Sequence, residues 1–303
     1  MNLRNLDLNL LVSFDALFAE RSVSKAAKKV FLSQPGMSCA LARLRNYFGD
    51  ELLVQRGREM VPTPMAEYLA RPVRDALLQL QSIATSTVSF DPARSDRTII
   101  MLASDYMGTV LLRKVVQRVS REAPGMRVEL RWITQNYREE FERGHADFIF
   151  LPTQYIFKDH PSDALFEDKY TCVVWSKNSE IRGELSSDEY MNASHVCVDL
   201  GGGRIPTYDE WFLNQYPWRK RRVAAYVPHW GMALQFITGT PWVGTIHLRL
   251  AEMFAKQFSL RLVKPPSDIP VMRYQMQWHK HNNLDPALKW FRELTKAVAG
   301  EME

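Results

Sequence analysis

Between Ser33 and Arg58 the chain gathers side chains suited to touching nucleic acid: Ser33, Gln34, Ser38 and Cys39, then Arg43, Arg45, Arg56 and Arg58. Short hydroxyls and the Gln34 amide exchange hydrogen bonds with base edges, and guanidinium groups reach phosphates or guanine. From Lys25 to Arg58 seven basic side chains stand against two acidic ones, a local excess of five that equals the formal +5 of the whole chain. The rest is close to neutral, so the charge that would meet phosphate is concentrated near the N-terminus.

Other chemistries lack their residues. Cys39, Cys172 and Cys197 are an odd number at wide spacings, which fits neither a disulfide framework nor a paired-thiolate metal site. The histidines of HWG (229–231) and WHKH (278–281) have no carboxylate or cysteine cluster at ligand spacing, so no metal is assigned. Gly201, Gly202 and Gly203 are not followed by Gly-Lys-Ser/Thr, which makes them a turn or lid rather than a phosphate loop. With no nucleophile elbow or paired-acid motif, the chain is read as not an enzyme, without catalytic residues or cofactor.

The DNA-touching residues need elements to hold them. Ser22 or Ser24 caps a helix whose Val23, Ala26, Ala27 and Val30 share one face while Lys25, Lys28 and Lys29 point outward. Ser33 starts a second helix, with Pro35 in its first turn, apolar Met37, Leu41, Leu44, Tyr47 and Phe48 at helical spacing, and Gly49 as its stop. This is a helix-turn-helix pattern, in which the second helix presents its N-terminal residues to the major groove. An apolar stripe from Leu6 to Phe18 supplies a covering helix, and ELLVQRGREMVPTP reads as a hairpin wing with Arg56 and Arg58 at its tip.

A long helix then runs from Thr63 to about residue 87. Leu69, Val73, Ala76, Leu80 and Ile83 are separated by 4, 3, 4 and 3 residues, a seam that wants the same helix from a second copy. Pro72 is expected to bend it. Two reading helices related by a two-fold axis would match half-sites about 34 Å apart or a multiple of that.

Past the polar stretch FDPARSDR (90–97) strands and helices alternate: strands at 98–104, 127–133 and 147–152, with helices at 107–122 and 137–143 between them. A second set follows, with strands at 169–175, 195–200, 222–227, 242–247 and 260–265 and helices near 208–214 and 232–238. A strand at 272–278 and a helix at 285–298 close the chain. The expected organisation is a winged helix-turn-helix over 1–62, a linker helix over 63–89 and a two-lobed α/β domain over 90–303. Lobe I takes about 90–165 and 270–303, and lobe II about 166–269. A length of 303 residues and 46% hydrophobic content support several cores. No apolar run is long enough to span a membrane, and the N-terminal residues lack the layout of a secretion signal, so the expected location is cytoplasmic.

These elements together carry a family resemblance. DLNLLVSFDAL, ERSVSKAAKKVFLSQPGMSCALARLR, FGDELLVQRGREMVPTP and ADFIFLP resemble the LysR-type transcriptional regulators, in the family's order and at its usual distances. NYFGDELLVQRGREMVPTP, HPSDALFEDKYTCV and EWFLNQYPWRKRRV are similar to the group of nodulation regulators answering flavonoids and activators of aromatic catabolism. The resemblance implies a winged helix-turn-helix and a linker-helix dimer that usually assembles into a tetramer. It also implies an effector domain resembling a type II periplasmic binding protein, and activation through ligand-dependent bending of double-stranded promoter DNA. Ser33, Gln34, Pro35 and Ser38 match the family's reading-helix motif, and Arg56 matches its wing arginine. Cys39 departs from the polar residue often found there, and Gly36 replaces a commoner alanine at about 1 kcal/mol in helix propensity.

In a two-lobed α/β domain the ligand sits at strand ends in the cleft. The expected effector residues are Ser104, Asp105 and Tyr106, then Pro152 and Thr153, Lys169 at the hinge, Gly202 and Arg204, with Trp230, Phe236 and Thr245 from lobe II. Aromatic faces with a few polar groups suit a small phenol or aromatic acid. A solute-binding protein or a small-aromatic enzyme using the same cleft is the alternative, against which the N-terminal 90 residues weigh.

Overall fold

The computed structural model describes residues 7–57, 59–85, 90–181, 183–200, 221–266, 269 and 271–302, with the backbone alone for 81, 82, 84 and 85. Contacts divide the chain into two compact units, Met1–Ser86 and Thr87–Glu303.

The first unit runs α1 (Leu8–Glu20), α2 (Val23–Lys29), α3 (Gln34–Phe48), β1 (Leu53–Arg56), β2 (Glu59–Pro62) and α4 (Pro64–Thr85). Each helix start has a side-chain cap: Asp7 accepts from the Asn9 N–H, Ser22 from Lys25 and Ser33 from Gly36. Gly49 closes α3 in the left-handed region at φ +66°, where glycine has no steric penalty. Leu17, Ala26, Met37, Leu44 and Leu52 have no exposed surface and form the centre of the core.

The turn from α2 to α3 is a Schellman motif. The Leu32 N–H donates to the Ala27 carbonyl (2.9 Å) and the Phe31 N–H to that of Lys28 (3.4 Å). Its left-handed position, normally a glycine, is held by Phe31 at φ +58°. That conformation costs a side-chain-bearing residue about 1–2 kcal/mol.

Asp50 Oδ1 fastens the base of the wing, accepting from the Leu52 N–H and the Thr63 hydroxyl, both at 2.6 Å. α4 is helical through Pro72. Its five-residue seam divides along its length. Val73 is 6% exposed within the unit's own core and Leu69 packs against it, whereas Leu80 and Ile83 are 39% and 65% exposed. One face of the first turns covers α1, with Arg74 paired to Asp15, and the seam residues left exposed for a partner are Leu80 and Ile83.

The second unit holds two five-stranded sheets. Lobe I has the order β4-β3-β5-β12-β6, built from β3 (Thr98–Ala103), β4 (Arg127–Trp132), β5 (Phe148–Pro152), β6 (Ser162–Asp168) and β12 (Met272–Trp278). β3 is parallel to β4 and β5, and β12 is antiparallel to β5 and β6. Lobe II has the order β11-β7-β10-β8-β9, from β7 (Tyr170–Trp175), β8 (Ser194–Val198), β9 (Arg222–Val227), β10 (Val243–His247) and β11 (Leu260–Val263).

The helices are α5 (Asp105–Met107), a π-turn (Gly108–Leu112), α6 (Arg113–Glu122), α7 (Tyr137–Glu142), α8 (Ser187–Asn192), α9 (Trp230–Ile237), α10 (Leu248–Phe254) and α11 (Pro286–Gly300). The expected helix near 208–214 lies outside the described residues. β6, α8 and α10 are additions to the sequence reading, and because β6 belongs to the first sheet, lobe I continues to Asp168 rather than about residue 165. Among the described residues no helix is long and apolar enough to cross a membrane.

Candidate nucleic-acid surface and interlobe site

α3 turns Met37, Ala40, Leu41 and Leu44 into the core and leaves Gln34, Pro35, Ser38, Cys39 and Arg43 exposed, with Ser33 exposed at its cap. Arg56 is exposed at the end of β1. Arg58 lies outside the described residues.

Arg45 departs from its expected role. Its Nε donates to the Glu51 carbonyl (2.8 Å) and its Nη2 to the Leu53 carbonyl (2.7 Å), with the Glu51 carboxylate 3.1 Å away. It holds the wing onto α3 instead of pointing at DNA, because helical spacing turns it toward the strand entering the wing. Arg43 stays on the outer face, 3.4 Å from Asp7.

In the second unit the two lobes meet at the N-terminus of α9. No side chain of its own segment caps this helix; the Gly231 N–H donates instead to Asp105 Oδ2 of lobe I at 2.9 Å. A carboxylate there also meets the positive end of the helix dipole. Beside it the rings of Trp132 (lobe I) and His229 (lobe II) lie 4.9 Å apart. Among the described residues, Asp105 Oδ1 and His229 Nδ1 are buried without hydrogen-bond partners. Asp105→Ala is expected to speed exchange of the Gly231 amide about five- to tenfold, the loss of one cap; unchanged exchange would remove Asp105 from this role.

The hinge is a buried aromatic and titratable cluster. Tyr106 donates to Asp168 Oδ2 (2.6 Å) and stacks on His247 with centroids 3.8 Å apart, while His247 Nε2 lies 2.6 Å from the Tyr274 hydroxyl. Burial pushes the His247 imidazole down to about 3, raises the Asp168 carboxyl and drives the Tyr106 and Tyr274 phenols up. Within lobe II, burial and then Arg221 lower His195 to about 4, and burial pushes the Cys172 thiol up to about 12.

The expected effector residues therefore separate. Ser104 caps α5 next to Asp105, and Thr153 is tied to β12 through the Arg273 carbonyl and the Gln275 amide. Pro152 is buried within the β5–β12 pairing. Tyr106 and Trp230 are buried in the hinge, at 0% and 2% exposure, because the chain turns inward after the strand ends. Thr245 is in mid-strand, bonded at 2.7 Å to the Tyr190 hydroxyl, and Phe236 is exposed on α9. Exposed Lys169 borders a cavity of about 280 Å³ behind the hinge, with Glu167, Leu248, Arg249, Glu252 and Val271. Gly202 and Arg204 lie outside the described residues. Trp132, His229, Asp168 and His247 escape sequence reasoning, since Trp132, Asp168 and His247 are placed by sheet pairing and His229 by the start of α9.

Glu142, His160 and His279 come within 4.8 Å of one another, a grouping the sequence does not reveal. Nδ1 of His160 accepts the Lys280 N–H (3.2 Å) and Nδ1 of His279 accepts the His281 N–H (3.4 Å). In a neutral ring the proton then sits on Nε2, which suits a clasp between α7 and the end of β12 better than metal ligation.

Comparison with known proteins agrees with both units. The bacterial regulatory helix-turn-helix protein, lysR family, matches residues 8–67, and the LysR substrate binding domain matches residues 93–300. A Nodulation protein D 1 of Bradyrhizobium sp. (strain NC92) is 42% identical over 302 residues, covering 100% of this chain and 96% of its own. A Nodulation protein D 2 of Rhizobium tropici is 43% identical over the same span, with the same coverage. Among solved structures, a probable transcriptional regulator from Pseudomonas aeruginosa superposes with a TM-score of 0.66 at 29% identity, covering 97% of this chain and 98% of that one. Full-length CbnR complexed with its target DNA shares the fold, with a TM-score of 0.57 at 14% identity, covering 97% of this chain and 100% of that one. With the helix-turn-helix and the two-lobed domain both matched in order along one chain, this protein belongs to the LysR family of DNA-binding transcriptional regulators.

Proposed function

We propose that this protein is an activator whose promoter binding or bending is switched by a small aromatic or phenolic effector held between lobes I and II. The observation that carries the reading is the Asp105–Gly231 bond: it joins the lobes beside the rings of Trp132 and His229, and among the described residues two buried polar atoms there have no hydrogen-bond partner. Such atoms mark places where a ligand or water completes the bonding, and the rings suit a planar partner. The names of the full-length relatives, nodulation proteins, support a signal-responsive role. In this reading residues 1–62 bind DNA, 63–89 join subunits into a homodimer or homotetramer, and 90–303 sense the effector. Footprinting on the DNA upstream of its own gene, with and without a panel of phenolic compounds, tests it. Protection of two half-sites that shortens or shifts with one compound is the expected result, and protection indifferent to every compound would count against the effector.

On DNA, Gln34 reads base edges and Arg56 meets the backbone. Gln34→Ala should reduce discrimination between target and random duplex by about 1–3 kcal/mol. Arg56→Ala should weaken both about equally and lower the salt dependence by about one ion; identical behaviour of the two variants would erase this division. Leu80 and Ile83 form the subunit seam, so Leu80→Asp should lower the mass in solution, and an unchanged mass would refute the assignment.

A further inference from the structure

Phe31 is held in the left-handed backbone region at φ +58°, in a turn position made for glycine, and its side chain is 96% exposed. Neighbouring Leu32 is 44% exposed, so the turn offers an apolar tip, whereas Ala26, Ala27, Met37, Ala40, Leu41 and Leu44 of the same helix pair are buried. The two backbone bonds of the turn, from Phe31 and Leu32 to the carbonyls of Lys28 and Ala27, offset part of the backbone cost, but among the described residues none covers the exposed ring. An outlier of this kind points to a contact outside the chain.

Its place indicates which contact. Phe31 stands two residues before Ser33, the cap of the helix whose first residues face the groove, and Lys28 is exposed on the same turn. A phenyl ring has no donor or acceptor, so on DNA it is matched by apolar groups. In the major groove the apolar group on a base edge is the C5 methyl of thymine. We propose that Phe31 is a specificity residue that reads a thymine methyl at the edge of the half-site. This rests on α3 being the reading helix.

The test uses the full-length protein and a duplex that it selects from a random pool. Phe31→Gly and Phe31→Asn both accept the left-handed conformation, so each should melt no earlier than the wild type and yet bind the duplex about tenfold more weakly. Replacing each thymine in turn by uracil removes one methyl. One position should cost the wild type about fourfold and Phe31→Gly nothing, the size of one lost apolar group. Affinity of Phe31→Gly within twofold of wild type overturns the proposal, as does weaker binding with no methyl dependence or with a changed subunit number. Gln34→Ala separates the two failures: if it loses discrimination while Phe31→Gly binds normally, Phe31 alone is wrongly placed. If neither changes, α3 is not the reading helix.

Discussion

Acidification from pH 6.5 to 4.5 is expected to strip about 5 kcal/mol from the second unit through His195 and His247 alone. In the folded protein these rings stay neutral down to about 4 and about 3, because burial penalises the charged form. In the unfolded chain they take up a proton near pH 6.5. Below that value the unfolded state binds more protons, and each histidine costs about 1.4 kcal/mol per pH unit. His195 stops contributing near pH 4 and His247 near pH 3. Asp147 and Asp168 act in the opposite sense: burial raises their carboxyls, so the folded state is protonated first and acid favours it, which softens the slope. All eight tryptophans lie beyond residue 130, so their fluorescence during urea unfolding reports this unit selectively. The midpoint should fall steadily below pH 6.5, and His195→Gln should remove about half of the slope down to pH 4. A midpoint constant from pH 6.5 to 4.5 would contradict the assignment.

Arg45→Ala should destabilise the first unit by about 2–3 kcal/mol, since two charge-assisted hydrogen bonds to wing carbonyls disappear and the part-buried Leu53 carbonyl loses its donor. The variant should bind every DNA sequence more weakly, and the β1–β2 amides should exchange faster because the wing is no longer held to α3. Slow wing exchange combined with weaker, less salt-dependent binding would instead return Arg45 to the phosphate-contacting role its sequence position suggests.

Arg45 also shows what the sequence can express. The DNA-binding half was legible because it is local: caps, helical periodicity and the stop at Gly49 lie within a few residues of what they govern, and α1 to α4 begin and end close to expectation. Whether an arginine on α3 faces outward or toward the wing depends on where the following strand lies, which no periodicity encodes. The regulatory half is legible as strands and helices, and Asp105 is on the expected list, but what Asp105 meets is not. Asp105 and Gly231 are 126 residues apart and meet only once both sheets are formed. Tyr106, Trp230 and Thr245 have the right types at plausible positions, yet they turn into the hinge or the lobe interior. β6 was missed because SDALFED mixes charge into a strand that has only three buried residues.

The crossing between lobes has a further consequence. The chain leaves the first sheet at Asp168 and re-enters it at Met272, and these two residues are paired across neighbouring strands, where Cα atoms lie about 5 Å apart. Everything between them is therefore an insertion with its two ends side by side, a cassette whose removal would leave a gap that a short loop can bridge. Such an arrangement lets lobe II be exchanged or rebuilt by recombination at a single point on the sheet, while lobe I keeps its own strands in register.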